Sequence, residues 1–412
     1  MRVLLYIIIL FACAGVSAQE AVFRTNVYRE DIKSLEVKVE GELISSPFIT
    51  LGGEDRISIS FDALHHSSGY YTYSIVHCNA DWQKSMLMPI EYMKGFQNAY
   101  IPDFANSINT TVNYTNYKLS LPNDDVQFLV SGNYAVQIFD ENEPDKPVIT
   151  ACFSIVEPLI EIGATVSGNT DIDFNKTHQQ VDLTINYKDI NIAFPQSDLK
   201  IFVCQNNDID NMRTDLQPSL IGNGQLQYTH QRKLIFDAGN EYRRIEFLTH
   251  RYKGMEVADI GFFNPYYHLT LYEDRRRDGK TYLYDQDQNG RFFVRCSECN
   301  NPDTEADYYV VHFALISEFI ENGEIHLYGD FFNNTIDDRS RMEYNPETGM
   351  YEAAVMLKQG LYNYKYAFVE DSKVTFAPTE GDYFETENEY TVTVFYRPAA
   401  ARYDRLIGFA KF

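Results

Sequence analysis

Apolar and polar residues alternate with period two along most of this chain, and no other feature limits its fold as strongly. Leu35-Glu36-Val37-Lys38-Val39, Ile57-Ser58-Ile59-Ser60-Phe61, Tyr71-Thr72-Tyr73-Ser74-Ile75 and Tyr134-Ala135-Val136-Gln137-Ile138 each carry it. Successive side chains on a strand point to opposite faces, so this rhythm predicts half-buried β-strands. Gly52-Gly53, Ser68-Gly69 and Gly132-Asn133 punctuate the runs as turns. No long helical stretch interrupts them. The segment 85–109 lacks the rhythm and is expected to hold a short helix or a packed loop. The fold class expected is all-β: two or three immunoglobulin-like β-sandwich domains in series.

Breaks in the pattern divide the chain. Residues 1–18 read as a signal peptide: Arg2 precedes a short apolar run, and Val16-Ser17-Ala18 offers a cleavage site before Gln19. A first β domain is expected over 19–157, because Pro158 cannot donate to a ladder. A second β domain is expected over 158–303, with strands near Val181, Leu199, Gln225, Leu269, Thr281 and Phe292. Asp278-Gly279 and Asn289-Gly290 are expected as hairpin turns in it. The polar run Ser297–Glu305 reads as a linker into a third domain over 304–412, which would end on the strand starting at Tyr390.

The 31 Tyr and 28 Phe against a single Trp suit extended β structure. No later segment reaches the length of apolar residues a membrane helix needs, so no direct membrane insertion is expected. The formal charge of −24 argues against nucleic acid and anionic lipid as partners.

The motifs that carry chemistry are sparse. Asp285-Gln286-Asp287-Gln288-Asn289-Gly290 begins like a calcium loop, but the twelfth position, where a bidentate Glu is needed, is Cys296. A turn is the better reading. Cys296 and Cys299 have zinc-knuckle or redox spacing, yet no second Cys pair completes a four-ligand site. A local disulfide or two plain thiols is expected there. Cys78 and Cys152 are candidates for a bridge between strands of the first domain. His65-His66 lacks a third ligand and reads as a solvated loop. His77 and Cys78 are neighbours on one strand and point to opposite faces, which excludes a nucleophile–base pair. No Gly-x-Ser-x-Gly, His-Glu-x-x-His or phosphate loop occurs. No catalytic, cofactor-binding or metal residue is therefore assigned, and the chain is not expected to be an enzyme. Two segments are candidates for binding a protein partner. Phe262, Phe263, Tyr266 and Tyr267 surround a turn and are suited to anchoring a hot spot. Arg275, Arg276 and Arg277 are the sharpest basic cluster in an acidic chain, read as a hairpin tip between Tyr272 and Thr281.

Three blocks occur in order in the first domain: His77-Cys78-Asn79-Ala80-Asp81-Trp82, Glu91-Tyr92-Met93-Lys94-Gly95-Phe96, and Ser107-Ile108-Asn109-Thr110. This order resembles the type IX secretion system plug protein family, over about 28–157, and continues more loosely through Glu305–Tyr308 and Gly323 to Tyr366. The resemblance implies a periplasmic subunit that binds the large outer-membrane translocon barrel and seals its periplasmic opening. In the third domain, Gly329-Asp330-Phe331-Phe332-Asn333 and Gly360-Leu361-Tyr362-Asn363-Tyr364 look like early-set, glycogen-binding-type immunoglobulin-like modules. The tryptophan usual in those modules is missing. The alternative this second resemblance implies is a glycan-binding accessory protein, with Tyr362 or Tyr364 stacking on sugar rings. A β-sandwich lyase or esterase is a third reading, which no motif favours.

Overall fold

The structure is a computed structural model, and it describes residues 22–66 and 69–412. The expected signal peptide lies outside the described residues. The chain is built of strands, with only short helical turns between them. One of those turns, Pro89–Tyr92, falls in the arrhythmic segment, where Pro at its start fits the first helical turn.

The first unit packs two sheets face to face. One runs Asn26–Val27, Pro147–Val156, Gly132–Asp140, Tyr71–Cys78, Ala99–Tyr100, with Phe48–Thr50 added in parallel to Pro147–Val156. The other runs Ile32–Val39, Ile57–Ala63, Thr115–Leu121, Asp103–Asn106. Their inward residues form one core, including Ile59, Phe61, Tyr73, Ile75, Tyr117 and Tyr134. Tyr71–Cys78 keeps its alternation, with Tyr71, Tyr73 and Ile75 buried and the residues between them half-buried. Ile57–Ala63 is buried on both faces. Its polar half is covered by another part of the chain.

The next two units divide the chain differently from the boundary expected at 303. Arg243–Phe247, Val257–Phe263, Tyr266–Leu271 and Phe292–Val294, all placed by sequence in the second domain, pair into the sheet of the third unit. That sheet orders Arg243–Phe247, Gly360–Glu370, Glu324–Tyr328, Arg341–Asn345, Met350–Lys358, Tyr308–Ile316, Tyr266–Leu271 and Val257–Phe263. Its two ends approach each other, with the Glu246 amide donating to the Met255 carbonyl at 3.3 Å. The curled sheet encloses a core that includes Phe247, Leu269, Tyr309, Phe313, Leu327 and Tyr362. Tyr390–Tyr396, expected to close the third domain, instead joins Leu199–Gln205 and Arg405–Lys411. These face the sheet of Glu161–Ser167, His178–Asn186, Gln225–Tyr228 and Leu220–Gly222, and both share the core of Val181, Leu183, Val203, Tyr390 and Val392. The third unit is thus an insertion within the second. Alternation specifies that a segment is a strand but not which strand it pairs with, so the return of the last strands was hidden.

Charged side chains are buried at the joints. Between the first and third units, the Lys358 ammonium lies 2.7 Å from the Asp62 carboxylate, with both residues almost fully buried. The same carboxylate accepts the Tyr308 hydroxyl at 2.6 Å, and Lys358 sits 4.1 Å over the Tyr114 ring. Asp307 accepts from the Thr111 and Val112 amides. Between the first and second units, Asp404 accepts from the Ala80 amide and from Lys200, while Arg405 bridges to Glu157 at 2.7 Å. Arg291 of the third unit ties Glu389 of the second at 2.5 Å and Ser46 of the first at 3.2 Å. A charge removed from water is tolerated only when partnered. At each of these joints at least one hydrogen bond or ion pair crosses from one unit to another, which ties the three units together.

Candidate partner surface

The aromatic candidates sit at the tip of the hairpin made by Val257–Phe263 and Tyr266–Leu271. Phe263 is paired with Tyr266 and Phe262 with Tyr267, around the Asn264–Pro265 turn. The four rings divide into two roles. Phe262 and Phe263 are 53% and 67% exposed. Tyr267 is wedged between His250, Phe262 and Tyr309, with ring centroids 5.0–5.3 Å away. Tyr266 packs on the Val112, Tyr114 and Tyr308 cluster at the joint with the first unit. The two tyrosines brace the tip, and the two phenylalanines are what it presents.

The three arginines also separate. They are not at a hairpin tip: Asp274–Arg275 is a short strand parallel to Tyr308–Ile316, and 281–284, expected as a strand, lies outside every sheet. Arg277 donates to Glu380 at 2.6 Å and to the Glu241 carbonyl. Glu380 is fully buried between Arg277 and Arg243. Burial pushes its carboxyl up, but the two guanidiniums more than offset this and hold it down at about 2. Arg276 is closed on Asp278 by two bonds of 2.9 Å. Arg275 is exposed and makes no ion pair among the described residues. It borders, with Phe263, an open groove on the outer face of the third unit's sheet.

That groove holds a feature that sequence reasoning missed. His268 Nδ1 and His312 Nε2 lie 2.8 Å apart, with the rings stacked at 5.1 Å. They sit on neighbouring parallel strands but 44 positions apart in sequence, so only the register brings them together. Burial and the neighbouring His268 both lower the basicity of His312. A second missed feature lies in the first unit, where Ile90 and Phe96 are the most exposed large apolar side chains of the described residues, at 83% and 84%. Met86 and Met88 are exposed beside them. The sequence signal was an apolar-rich segment without period.

The remaining chemical candidates are spent on structure. Asp285 is held by Arg244, and Asp287 accepts from the Tyr242 and Asn289 amides. Asn289 and Gly290 form a left-handed turn, but not between two paired strands, so the hairpin expected there is absent. Cys296 and Cys299 are joined as a disulfide. Cys78 and Cys152 are free thiols, because Gly132–Asp140 runs between their strands, with Cys78 opposite Asn133 and Cys152 opposite Ala135. Burial pushes the Cys152 thiol up to about 12. His66 bonds the Ser107 hydroxyl at 2.9 Å. His77 is buried, bonded to Ser85 and the Ser131 carbonyl, and faces away from Cys78. Tyr362 and Tyr364 cannot stack on a sugar. Tyr362 lies between Phe247 and Phe292, and Tyr364 donates from the core to Asp274 at 2.7 Å.

A protein-family model described as type 9 secretion system plug protein 1st domain matches residues 32–157. Residues 32–157 are a type 9 secretion system plug protein 1st domain. The matched span is the first unit from its second strand to its last, and it contains Ile90, Phe96 and the Asp62 side of the buried joint. The match of this domain points to a role connected with that secretion system. It is also similar to the crystal structure of a hypothetical protein from Parabacteroides merdae ATCC 43184, with a TM-score of 0.93 and 58% identity over 95% of this chain and 100% of that one. No curated protein matches the chain.

Proposed function

We propose that this chain is a periplasmic subunit that binds the outer-membrane translocon barrel of the type 9 secretion system and seals its periplasmic opening. The observation that carries this reading is the family match at residues 32–157. The buried charged joints support it, because an obstruction in a wide lumen has to resist deformation. The signal peptide expected at 1–18 supports export. Phe262, Phe263 and Arg275 on the third unit, with Ile90 and Phe96 on the first, are the contacts we assign to the partner. Tyr266 and Tyr267 act by bracing the first two, and Arg276 and Arg277 by holding the fold. The role is one of binding rather than catalysis. Release needs only a modest difference in affinity between translocon states.

A tagged copy recovered from solubilised outer membranes tests the reading. Co-recovery of a very large barrel protein is the expected outcome. In cells lacking the gene, large solutes should cross the outer membrane whenever the translocon is trapped open. Recovery without any barrel, together with an intact permeability barrier, would sink the proposal.

A further inference from the structure

A strand at the end of a sheet carries a row of N–H and C=O groups that no neighbour takes up. Several such edges in this chain are blunted. Ile32–Val39 carries Lys33 and Lys38 and breaks register between Lys33 and Glu36. Val257–Phe263 breaks register between Val257 and Asp259. Ala99–Tyr100 and Leu220–Gly222 are only two and three residues long. Glu161–Ser167 has none of these features. It ends its sheet, pairs with His178–Asn186 over its whole length without a break, and holds no Lys, Arg or Pro.

Bonds on the far side of His178–Asn186 fix which groups of the edge face outward. The Tyr187 amide donates to the Gly224 carbonyl, and the Ala238 amide donates to the Thr177 carbonyl. Both turn odd-numbered residues away from Glu161–Ser167. Bonding direction alternates along an antiparallel strand, so the even-numbered residues bond Glu161, Gly163, Thr165 and Ser167. Ile162, Ala164 and Val166 therefore aim their N–H and C=O groups out of the sheet. Among the described residues no hydrogen bond reaches those groups. Gly408 packs on Ile160 and Ile162 at one end. From Gly163 onward the edge is open: nothing lies within 4 Å of where a Gly163 side chain would be, and Val166 is exposed.

The edge is complementary to itself. Antiparallel pairing about a two-fold axis at Ala164 sets Ile162 opposite Val166 of the second copy and Glu161 opposite Ser167, so no like charges face each other. Ile162, Ala164 and Val166 of both copies then share one face. Exposed apolar residues flank the edge at both ends. Ile172 and Phe174 follow the Ser167 end, and Phe194 lies on the connection that leaves beside the Glu161 end. The two-fold axis brings the first end of one copy to the second end of the other.

We propose that Glu161–Ser167 is a self-association edge, through which two copies of this chain join their sheets antiparallel about Ala164. One strand pair falls short of the roughly 1,000 Å² of a permanent interface, so the dimer is weak and exchanges. The formal charge of −24 on each copy opposes it, and salt strengthens it by screening. The edge belongs to the second unit and holds none of the assigned partner contacts, so the dimer and the plug reading stand or fall separately.

Sedimentation equilibrium of the full chain at low and high salt tests this. A reversible dimer should appear below about 0.5 mM and tighten at high salt. Ala164→Pro removes a donor that its own sheet does not use, and should weaken the dimer at least about tenfold with Tm little changed. Val166→Lys puts a charge on the edge and should weaken it as much, which keeps the test decisive if the proline variant fails to fold. Ala164→Cys should crosslink two copies on oxidation, since bonded pairs lie roughly 5.5 Å apart at Cα. A chain still monomeric at about 0.5 mM, a dimer that Ala164→Pro and Val166→Lys leave intact, or Ala164→Cys that stays uncrosslinked would each overturn the proposal.

Discussion

The joint between the first and third units and the tip of the 257–271 hairpin are both rich in aromatic residues, yet they are finished in opposite ways. At the joint, Asp62, Lys358, Tyr308, Tyr114 and Asp307 are buried, and their polar atoms partner across the joint. At the tip, Phe262 and Phe263 are left uncovered, and no charged group is committed to them. A partnered buried charge fixes how two bodies sit, and an uncovered ring is free to be covered by something else. The difference separates what makes this chain one body from what that body can offer a partner.

The largest effect should come from breaking the joint on one side. Lys358→Met leaves the Asp62 carboxylate buried without its counter-charge, and stability should fall by about 3–5 kcal/mol. Pairing it with Asp62→Leu removes both charges and should restore most of the loss. Denaturant unfolding of the two single variants and the double variant measures this. If Lys358→Met cost under about 1 kcal/mol, the joint would behave as a surface ion pair, and the contrast with the tip would collapse.

A second effect sharpens the comparison at the neighbouring joint. His77 packs against Tyr92, Tyr134 and Tyr403, bonds Ser85 and the Ser131 carbonyl, and lies near Asp404. Burial pushes its value down to about 4, despite the raising influence of Ser131 and Asp404. The unfolded chain therefore takes up this proton at higher pH than the folded one. Its contribution is fully favourable above about pH 6.5 and is lost as pH falls from there towards 4. Over that window the loss is on the order of 3 kcal/mol. His77→Gln should lose less stability than the parent between pH 7 and pH 4.5 by urea unfolding. Parallel pH profiles for the two proteins would show that the imidazole at this joint is not held neutral by burial.

Legibility in the sequence followed the same divide. The strands could be read because alternation is a local signal, and Tyr71–Cys78 shows it directly. Ile57–Ala63 shows its limit: Ser58, Ser60 and Asp62 look like a solvent face, and all three are buried. Nothing local marks a polar residue whose partner is nearly 300 positions away, as Lys358 is from Asp62. The boundary misplaced at 303 has the same origin, since Arg243–Phe247 pairs with Gly360–Glu370 across more than a hundred residues. The aromatic cluster at 262–267 was visible as composition. Which of its rings stay outside was decided by His250, Tyr309 and Tyr114, none of them near it in sequence. Of the three arginines, Arg277 belongs to the fold through Glu380 and the Glu241 carbonyl, both distant in sequence.

The smallest effect on stability belongs to the tip. Phe262→Ser with Phe263→Ser removes two rings that are more than half exposed, so unfolding free energy should change by no more than about 0.5 kcal/mol. Tyr267→Ser, which removes a half-buried brace between His250 and Tyr309, should cost on the order of 2 kcal/mol, more than the tip variant and less than truncation of a fully buried aromatic. Recovery of the translocon barrel should then sort the variants by exposure rather than by stability. The double phenylalanine variant should stay folded and lose its partner, whereas Lys358→Met with Asp62→Leu should keep it. If the phenylalanine variant lost more than about 1.5 kcal/mol, the tip would be part of the body after all. If it stayed stable and still recovered the barrel in full, the contact surface would have to be sought at Ile90 and Phe96, in the span that matches the plug family.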